Sequence, residues 1–191
     1  MREKKPFMVE FTGTPEAGKT TAIKVVSNML ENAGHSVMIL EESAEKLPKE
    51  IPKGTFDANL WMHFITQAGV LKATYSQAEI VLIDRGIIDS KFYAWKFFHE
   101  NEASVKEYFK KTCLSEVNPD LLLGLIVSPS TALKRRGAEG KIVKEEYIKK
   151  YNKYFCDFFN DTTLRKSLIR TDELQISEMN ELIYKIISDA L

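Results

Sequence analysis

Gly13-Thr14-Pro15-Glu16-Ala17-Gly18-Lys19-Thr20 fits the pattern G-x-x-x-x-G-K-S/T at every fixed position. Average residue usage puts a chance match in a chain of this length at about one in a hundred. The context agrees. The apolar run Phe7–Thr12 leads into Gly13 as a strand, and Thr20–Ala33 follows as a helix. In that helix Ile23, Val26, Met29 and Leu30 recur at three- and four-residue spacing, and Gly34 stands at the C-terminal cap. Gly13 lets the chain turn sharply off the strand, and Gly18 lets backbone N–H groups come close to an anion. The helix start adds unpaired amides and the positive end of its dipole. Gly13 through Thr20, with Thr21 behind them, therefore read as a cradle for the phosphates of ATP or GTP. Lys19 would carry charge to the β- and γ-phosphates, and the Thr20 hydroxyl would ligate Mg²⁺. A glycine turn with a solvated lysine is the plainer alternative.

Outward from this segment, short apolar runs alternate with longer amphipathic ones. Ser36–Leu40 reads as a second strand, ending in Glu41-Glu42-Ser43. A Lys-, Pro- and Gly-rich loop from Lys46 to Thr55 precedes a helix over Phe56–Gln77. Glu79–Ile83 reads as a third strand, Ile88–Glu100 and Ala103–Ser115 as helices, and Leu121–Val127 as a fourth strand. Pro129 opens a helix that reaches Lys134-Arg135-Arg136. Beyond it lie a helix over Val143–Phe159, a fifth strand over Ser167–Arg170 and a closing helix over Ser177–Leu191. Strands apolar on both faces and separated by helices predict a parallel sheet covered on both sides, an α/β three-layer sandwich. No repeat or linker interrupts the 191 residues, which predicts a single domain.

Composition removes several classes. Apolar residues make up 44% and charged residues 28%, which excludes disordered, collagen-like and coiled-coil chains. With 27 basic against 27 acidic residues, a bulk nucleic-acid binder is not expected. The apolar run Leu121–Val127 is far below the roughly 20 residues that cross a bilayer, so no membrane partner is expected. The basic start Met1–Pro6 is followed only by Phe7–Val9 before Glu10, which leaves no signal-peptide core. Cys113 and Cys156 have no CxxC spacing and read as idle thiols in a reducing cytosol, so the expected location is cytoplasmic.

Val81-Leu82-Ile83-Asp84 brings an acid to a strand end, where it would reach Mg²⁺; a helix N-cap is the competing role for Asp84. An Asn-Lys-x-Asp guanine reader is missing, because Asn152-Lys153 runs on into Tyr154-Phe155. Between Lys134 and Lys150 seven basic residues face three acidic ones, in a chain of zero formal charge. That excess suits a flap closing over a triphosphate, with Arg135 and Arg136 neutralising charge on the transferred group. A solvated helix with mixed charges is the alternative.

At these residues the sequence resembles the P-loop nucleoside and nucleotide kinases, nearest the deoxynucleoside and thymidylate kinase branch. The phosphate loop matches in full. Glu41-Glu42-Ser43-Ala44-Glu45-Lys46 resembles the segment that supplies the deoxynucleoside kinases' catalytic carboxylate, with Glu42 at the matching position. Asp84-Arg85-Gly86 is similar to their Glu-Arg-Ser and to the Asp-Arg-Tyr or Asp-Arg-Phe of thymidylate kinases. Arg136-Gly-Ala-Glu139, with Ile142 and Glu146-Tyr147 beyond, is similar to the arginine lid, here about residues 134–142. Ile51–Lys53, Phe56–Trp61 and Ile83–Gly86 also resemble a group of small P-loop kinase-like ATPases, which is the nearer likeness. The resemblance implies a five-stranded parallel sheet in the order 2-3-1-4-5, with ATP and Mg²⁺ as cofactors. It further implies γ-phosphoryl transfer to a nucleoside- or nucleotide-like acceptor. Ser43 stands where the deoxynucleoside kinases have Pro, Gly86 replaces Ser or an aromatic, and only Gln67 is available as a base reader.

A transferred phosphoryl group needs a carboxylate beside the acceptor hydroxyl, and Glu42 is the candidate; otherwise it is a solvated strand-end acid. Arg85 would hold the acceptor or that carboxylate, or else form a structural ion pair. Asp89, one turn on, would orient Arg85 or cap the helix. Lys19, Glu42, Arg85, Arg135 and Arg136 make up the expected catalytic set. Trp61, Phe64 and Gln67 lie within two turns of one helix with His63 and would wall the acceptor pocket with Glu42 and Arg85, although aromatic residues at that spacing are more often core. The aromatic run Phe92–Phe98 reads as core, with a pocket wall or a homodimer contact as the alternatives. The rival from another class is a regulatory P-loop ATPase that hydrolyses slowly and has no small-molecule acceptor.

Overall fold

The computed structural model describes residues 5–100, 117–136 and 144–191. Five strands form one parallel sheet: β1 (Phe7–Gly13), β2 (Val37–Leu40), β3 (Ile80–Asp84), β4 (Leu121–Ile126) and β5 (Lys166–Arg170). Their order is β2-β3-β1-β4-β5, so the strand order implied by the family resemblance holds. The described helices are α1 (Lys19–Asn32), α2 (Phe56–Thr74), α3 (Ile87–Glu100), α4 (Pro129–Arg136), α5 (Glu145–Asp161) and α6 (Ile176–Ser188).

β1 is the central strand, and its residues alternate between two cores. Val9 and Phe11 point to the side of α1 and α6, where they pack with Ile23, Val26, Ile183 and Ile187. Met8 faces the other way, into a cluster with Val70, Val81 and Ile87. Further along that second side, Phe92 on α3 meets Tyr151 and Phe155 on α5 edge to face, with ring centroids 5.1 and 5.5 Å apart. Glu10 and Thr12 continue the Met8 row as the strand climbs toward its C-terminal end, so the sheet turns polar where its crevice opens.

Most expected elements stand within three residues of their observed bounds. The departures have local causes. α2 ends at Thr74 and not Gln77, because the Thr74 hydroxyl donates to the Leu71 carbonyl at 2.6 Å and the next amides bond three residues back. α6 begins at Ile176 through a capping box between Gln175 and Glu178 and stops at Ser188. A one-turn 3-10 helix over Ser43–Lys46 follows β2, where only strand end and loop were expected. The helix expected over residues 103–115, Cys113 and the lid residues beyond Arg136 through Val143 lie outside the described residues. No described helix is long and apolar enough to cross a membrane.

Candidate active site at the C-terminal ends of the strands

The loop after β1 is built around two glycines with left-handed backbones, Gly13 at φ 120° and Gly18 at φ 90°. A Cβ on Gly13 would lie 2.1 Å from the Leu125 carbonyl oxygen, so β4 passes too close for any other residue. The Thr14 amide ties the turn to β4 by donating to that same carbonyl at 3.0 Å. Glu16 also adopts a positive φ, 63°, which curls the loop upon itself. Gly18 caps α1 without any side-chain hydrogen bond, and the first turn holds no acid. The helix start thus presents free amides and positive dipole, the chemistry that receives a phosphate.

Lys19 is buried, and its Nζ donates to the carbonyl oxygens of Gly13 (3.1 Å) and Thr14 (2.7 Å). Burial, with the Arg85 charge adding to it, pulls its ammonium down to about 7, while Asp89, Asp84 and Glu42 draw it back up. Beside the loop, the Thr20 hydroxyl donates to Asp84 Oδ2 at 2.5 Å. Asp84 closes β3 beside Phe11, and its Oδ1 is buried with no hydrogen-bond partner among the described residues. A hydroxyl and a buried carboxylate oxygen with unused acceptor capacity fit a hard, oxygen-seeking cation such as Mg²⁺.

Arg85 sits next, with a left-handed backbone of φ 59°, its amide donating to the Phe11 carbonyl at 3.0 Å. Its Nε reaches Glu42 Oε1 at 3.2 Å, and its Nη1 reaches both Asp89 oxygens at 3.1 and 3.2 Å. Burial works against this cation, yet Asp89 above all, with Tyr93, Tyr151 and Glu42 adding less, holds it well above its ordinary value. Burial raises the Glu42 carboxyl and Arg85 opposes the shift. Asp89 in turn accepts from the Thr12 hydroxyl at 2.5 Å. Glu42, Arg85 and Asp89 therefore form one linked group, in which Glu42 joins the neighbouring Arg85 and Asp89 from more than forty residues earlier in the chain.

α5 grips the loop. The Tyr151 hydroxyl donates to the Gly13 carbonyl at 3.0 Å, the atom that Lys19 also bonds. Asn152 accepts from the Thr14 hydroxyl at 2.5 Å and donates to the Val127 carbonyl at 2.8 Å. Arg135 spans from α4 to the end of β5, donating to Thr171 Oγ1 (2.8 Å) and the Thr171 carbonyl (2.6 Å), with a longer bond to the Glu16 carbonyl at 3.4 Å. Arg136 ends α4 with its guanidinium free of hydrogen bonds to any described residue.

The expected acceptor wall on α2 is less closely drawn in. Trp61 is 39% and Phe64 45% exposed. The Trp61 indole donates to the Lys46 carbonyl at 3.3 Å, which places α2 against the 3-10 turn that carries Glu42. Ser43 and Thr66 join their hydroxyls at 2.7 Å across the same seam. Gln67 is buried and bonded to His63, which burial pulls down to about 4 and so keeps neutral. These contacts hold the Glu42 turn in place, and none of them joins Trp61, Phe64 or Gln67 directly to the Glu42–Arg85 pair. Sequence reading did not single out Glu10, Thr12, Tyr151, Asn152 or Thr171. Of these only Glu10 left a signal, as a lone charge inside an apolar strand.

The crevice has the loop and sheet of a P-loop fold, and the known proteins this chain is similar to are nucleoside and nucleotide kinases. No protein-family model matches the chain. Thymidylate kinases of Thermoanaerobacter sp. (strain X514) and Thermoanaerobacter pseudethanolicus (strain ATCC 33223 / 39E) are each 23% identical over 166 residues, which covers 74% of this chain and 81% of theirs. Among solved structures, the deoxyadenosine kinase of M. mycoides with bound dATP superposes with a TM-score of 0.76, and the same enzyme with bound dCTP with 0.74. Identity is 21% in both, over 95% of this chain and 99% of that enzyme. The resemblance to the P-loop nucleoside and nucleotide kinases is thus borne out in relatives and in fold.

Proposed function

We propose that the protein is an ATP- and Mg²⁺-dependent phosphotransferase that moves the γ-phosphoryl group to a hydroxyl of a nucleoside-like small molecule in the cytoplasm. The observation that carries this reading is the Glu42–Arg85 pair, 3.2 Å apart, at the same strand ends as the phosphate loop.

Gly13 to Thr21 would seat the triphosphate, including Thr14, Pro15, Glu16 and Ala17 through the loop backbone, and Lys19 would bridge the β- and γ-phosphates. Thr20 and Asp84 would hold Mg²⁺, which supplies charge neutralisation at the transferred group. Glu42 would accept the proton of the attacking hydroxyl or orient it, with Arg85 steadying the carboxylate and the developing charge. Arg135 and Arg136 would close over the donor, and Trp61, Phe64 and Gln67 would flank the acceptor beyond the 3-10 turn. Because Arg85 is already neutralised by Glu42 and Asp89, the acceptor side offers an uncharged hydroxyl a better fit than a phosphate dianion.

Incubation with γ-labelled ATP, Mg²⁺ and a panel of nucleosides and nucleoside monophosphates tests this reading. Label should enter a nucleoside. Label in a monophosphate alone would overturn the neutral-acceptor reading, and label only in inorganic phosphate would favour the regulatory ATPase.

A further inference from the structure

Glu10 is 1% exposed in the middle of the central strand, where an ionised carboxylate is expensive unless its oxygens are bonded. Its partners are the first amides of α3. Oε1 accepts from the Asp89 amide at 2.7 Å and Oε2 from the Ile88 amide at 3.1 Å. A carboxylate from a neighbouring strand therefore does what a local cap would do for that helix start.

We propose that Glu10 is a positioning residue: by fixing the first turn of α3 it sets the Asp89 carboxylate, and through Asp89 the direction of the Arg85 guanidinium. Three consecutive residues of β1 converge on this unit. Glu10 holds the Asp89 backbone, the Phe11 carbonyl holds the Arg85 amide at 3.0 Å, and the Thr12 hydroxyl holds Asp89 Oδ1 at 2.5 Å. Asp89 then presents both oxygens to Arg85. Gly86 fits the same scheme. A Cβ there would lie 2.5 Å from Glu10 Oε2 and 2.9 Å from the Ile83 methyl, although the Gly86 backbone is not left-handed. The glycine after Arg85 is needed to make room for the carboxylate. The strand that ends in the phosphate loop thus also aims the acceptor-side arginine, so donor and acceptor halves share one rigid support. The catalytic consequence rests on the proposed phosphotransfer; the positioning itself does not.

The test uses the full chain labelled with ¹⁵N at slightly alkaline pH, with no nucleotide. The Arg85 Nε–Hε resonance is identified by its loss in Arg85→Lys. In Glu10→Gln its exchange with solvent should accelerate by about tenfold or more, while the amides of Leu123 and Ile169 on β4 and β5 keep their protection. Gly86→Ala pushes the carboxylate aside without changing its chemistry and should give the same pattern; it also serves should Glu10→Gln fail to fold. Unchanged Arg85 exchange in a folded variant overturns the proposal, as does a loss of protection spread evenly into β4 and β5, which marks a brace and nothing more. Neither readout involves donor or acceptor, so its failure is separate from failure of the phosphotransfer reading.

Discussion

Arg85 Nε lies 3.2 Å from Glu42 Oε1, joining the turn after β2 to the turn after β3 across the mouth of the sheet. Neither residue is on a helix or strand, and both approach from loops held by rigid neighbours. Glu42 precedes a 3-10 turn locked to α2 by Ser43 and Thr66, and Arg85 follows β3 directly. The chemistry proposed for this protein depends on that meeting.

Replacing Glu42 by Gln keeps shape and removes the carboxylate. Turnover with an accepted nucleoside should fall by about 10²–10⁴, the usual range for a proton-accepting group. Equilibrium binding of Mg·ATP, measured by calorimetry, should change little, because Glu42 lies outside the phosphate loop. A loss confined to nucleotide affinity would move the role to another group.

Lys19→Ala should weaken Mg·ATP binding. Hydrogen bonds from a charged donor are worth about 1.5–3 kcal/mol, so the dissociation constant should rise by roughly 10–150-fold. Thermal unfolding without nucleotide measures separately what the loss of its two buried carbonyl bonds costs the fold. Unchanged affinity would mean that the loop does not hold the phosphates.

Two glycines with similar backbones separate strain from collision. Gly13 (φ 120°) would drive a Cβ against the Leu125 carbonyl, whereas Gly34 (φ 95°) has open space around it. Gly34→Ala should cost about 1–2 kcal/mol, the left-handed penalty alone. Gly13→Ala should cost more than about 3 kcal/mol or prevent folding, as read from urea midpoints. Equal losses would contradict the close approach of β4.

Burial pushes the Glu10 carboxyl from 4.5 up to about 7, with the α3 amides pulling against it and the Asp89 carboxylate adding to it. The folded state therefore binds more protons than the unfolded one between these values, and the stability linked to Glu10 is lost as pH rises through them. Relative to Glu10→Gln, the wild type should lose up to about 3 kcal/mol between the two ends of that window, at roughly 1.4 kcal/mol per pH unit. His63, pulled down to about 4, titrates alike in both proteins and cancels. Urea midpoints across the range provide the check, and a gap that stays flat or widens with pH contradicts it.

Much of the fold was legible because periodicity and punctuation agree in this chain. β1, Gly13, Gly18 and α1 follow one another with the spacing that phosphate binding demands, and the apolar strands announce a buried parallel sheet. Asp84 and Arg85 stood out because the one ends an apolar strand and the other follows it directly. The 3-10 turn at Ser43 could not, because its cause is a hydroxyl pair with a residue on α2. Tyr151 and Asn152 were hidden for a related reason: their partners are the Gly13 carbonyl, Thr14 and Val127, and nothing in α5 itself marks them. Glu10 looked like an interruption of a strand until α3 supplied the amides that it caps.

The most direct test of the whole account is a ³¹P spectrum of ATP, Mg²⁺, the protein and a mixed set of nucleosides followed over time. The account predicts that ADP and a new phosphomonoester of the nucleoside grow together in equal amounts. ADP that grows only with inorganic phosphate, whichever nucleoside is present, would contradict it.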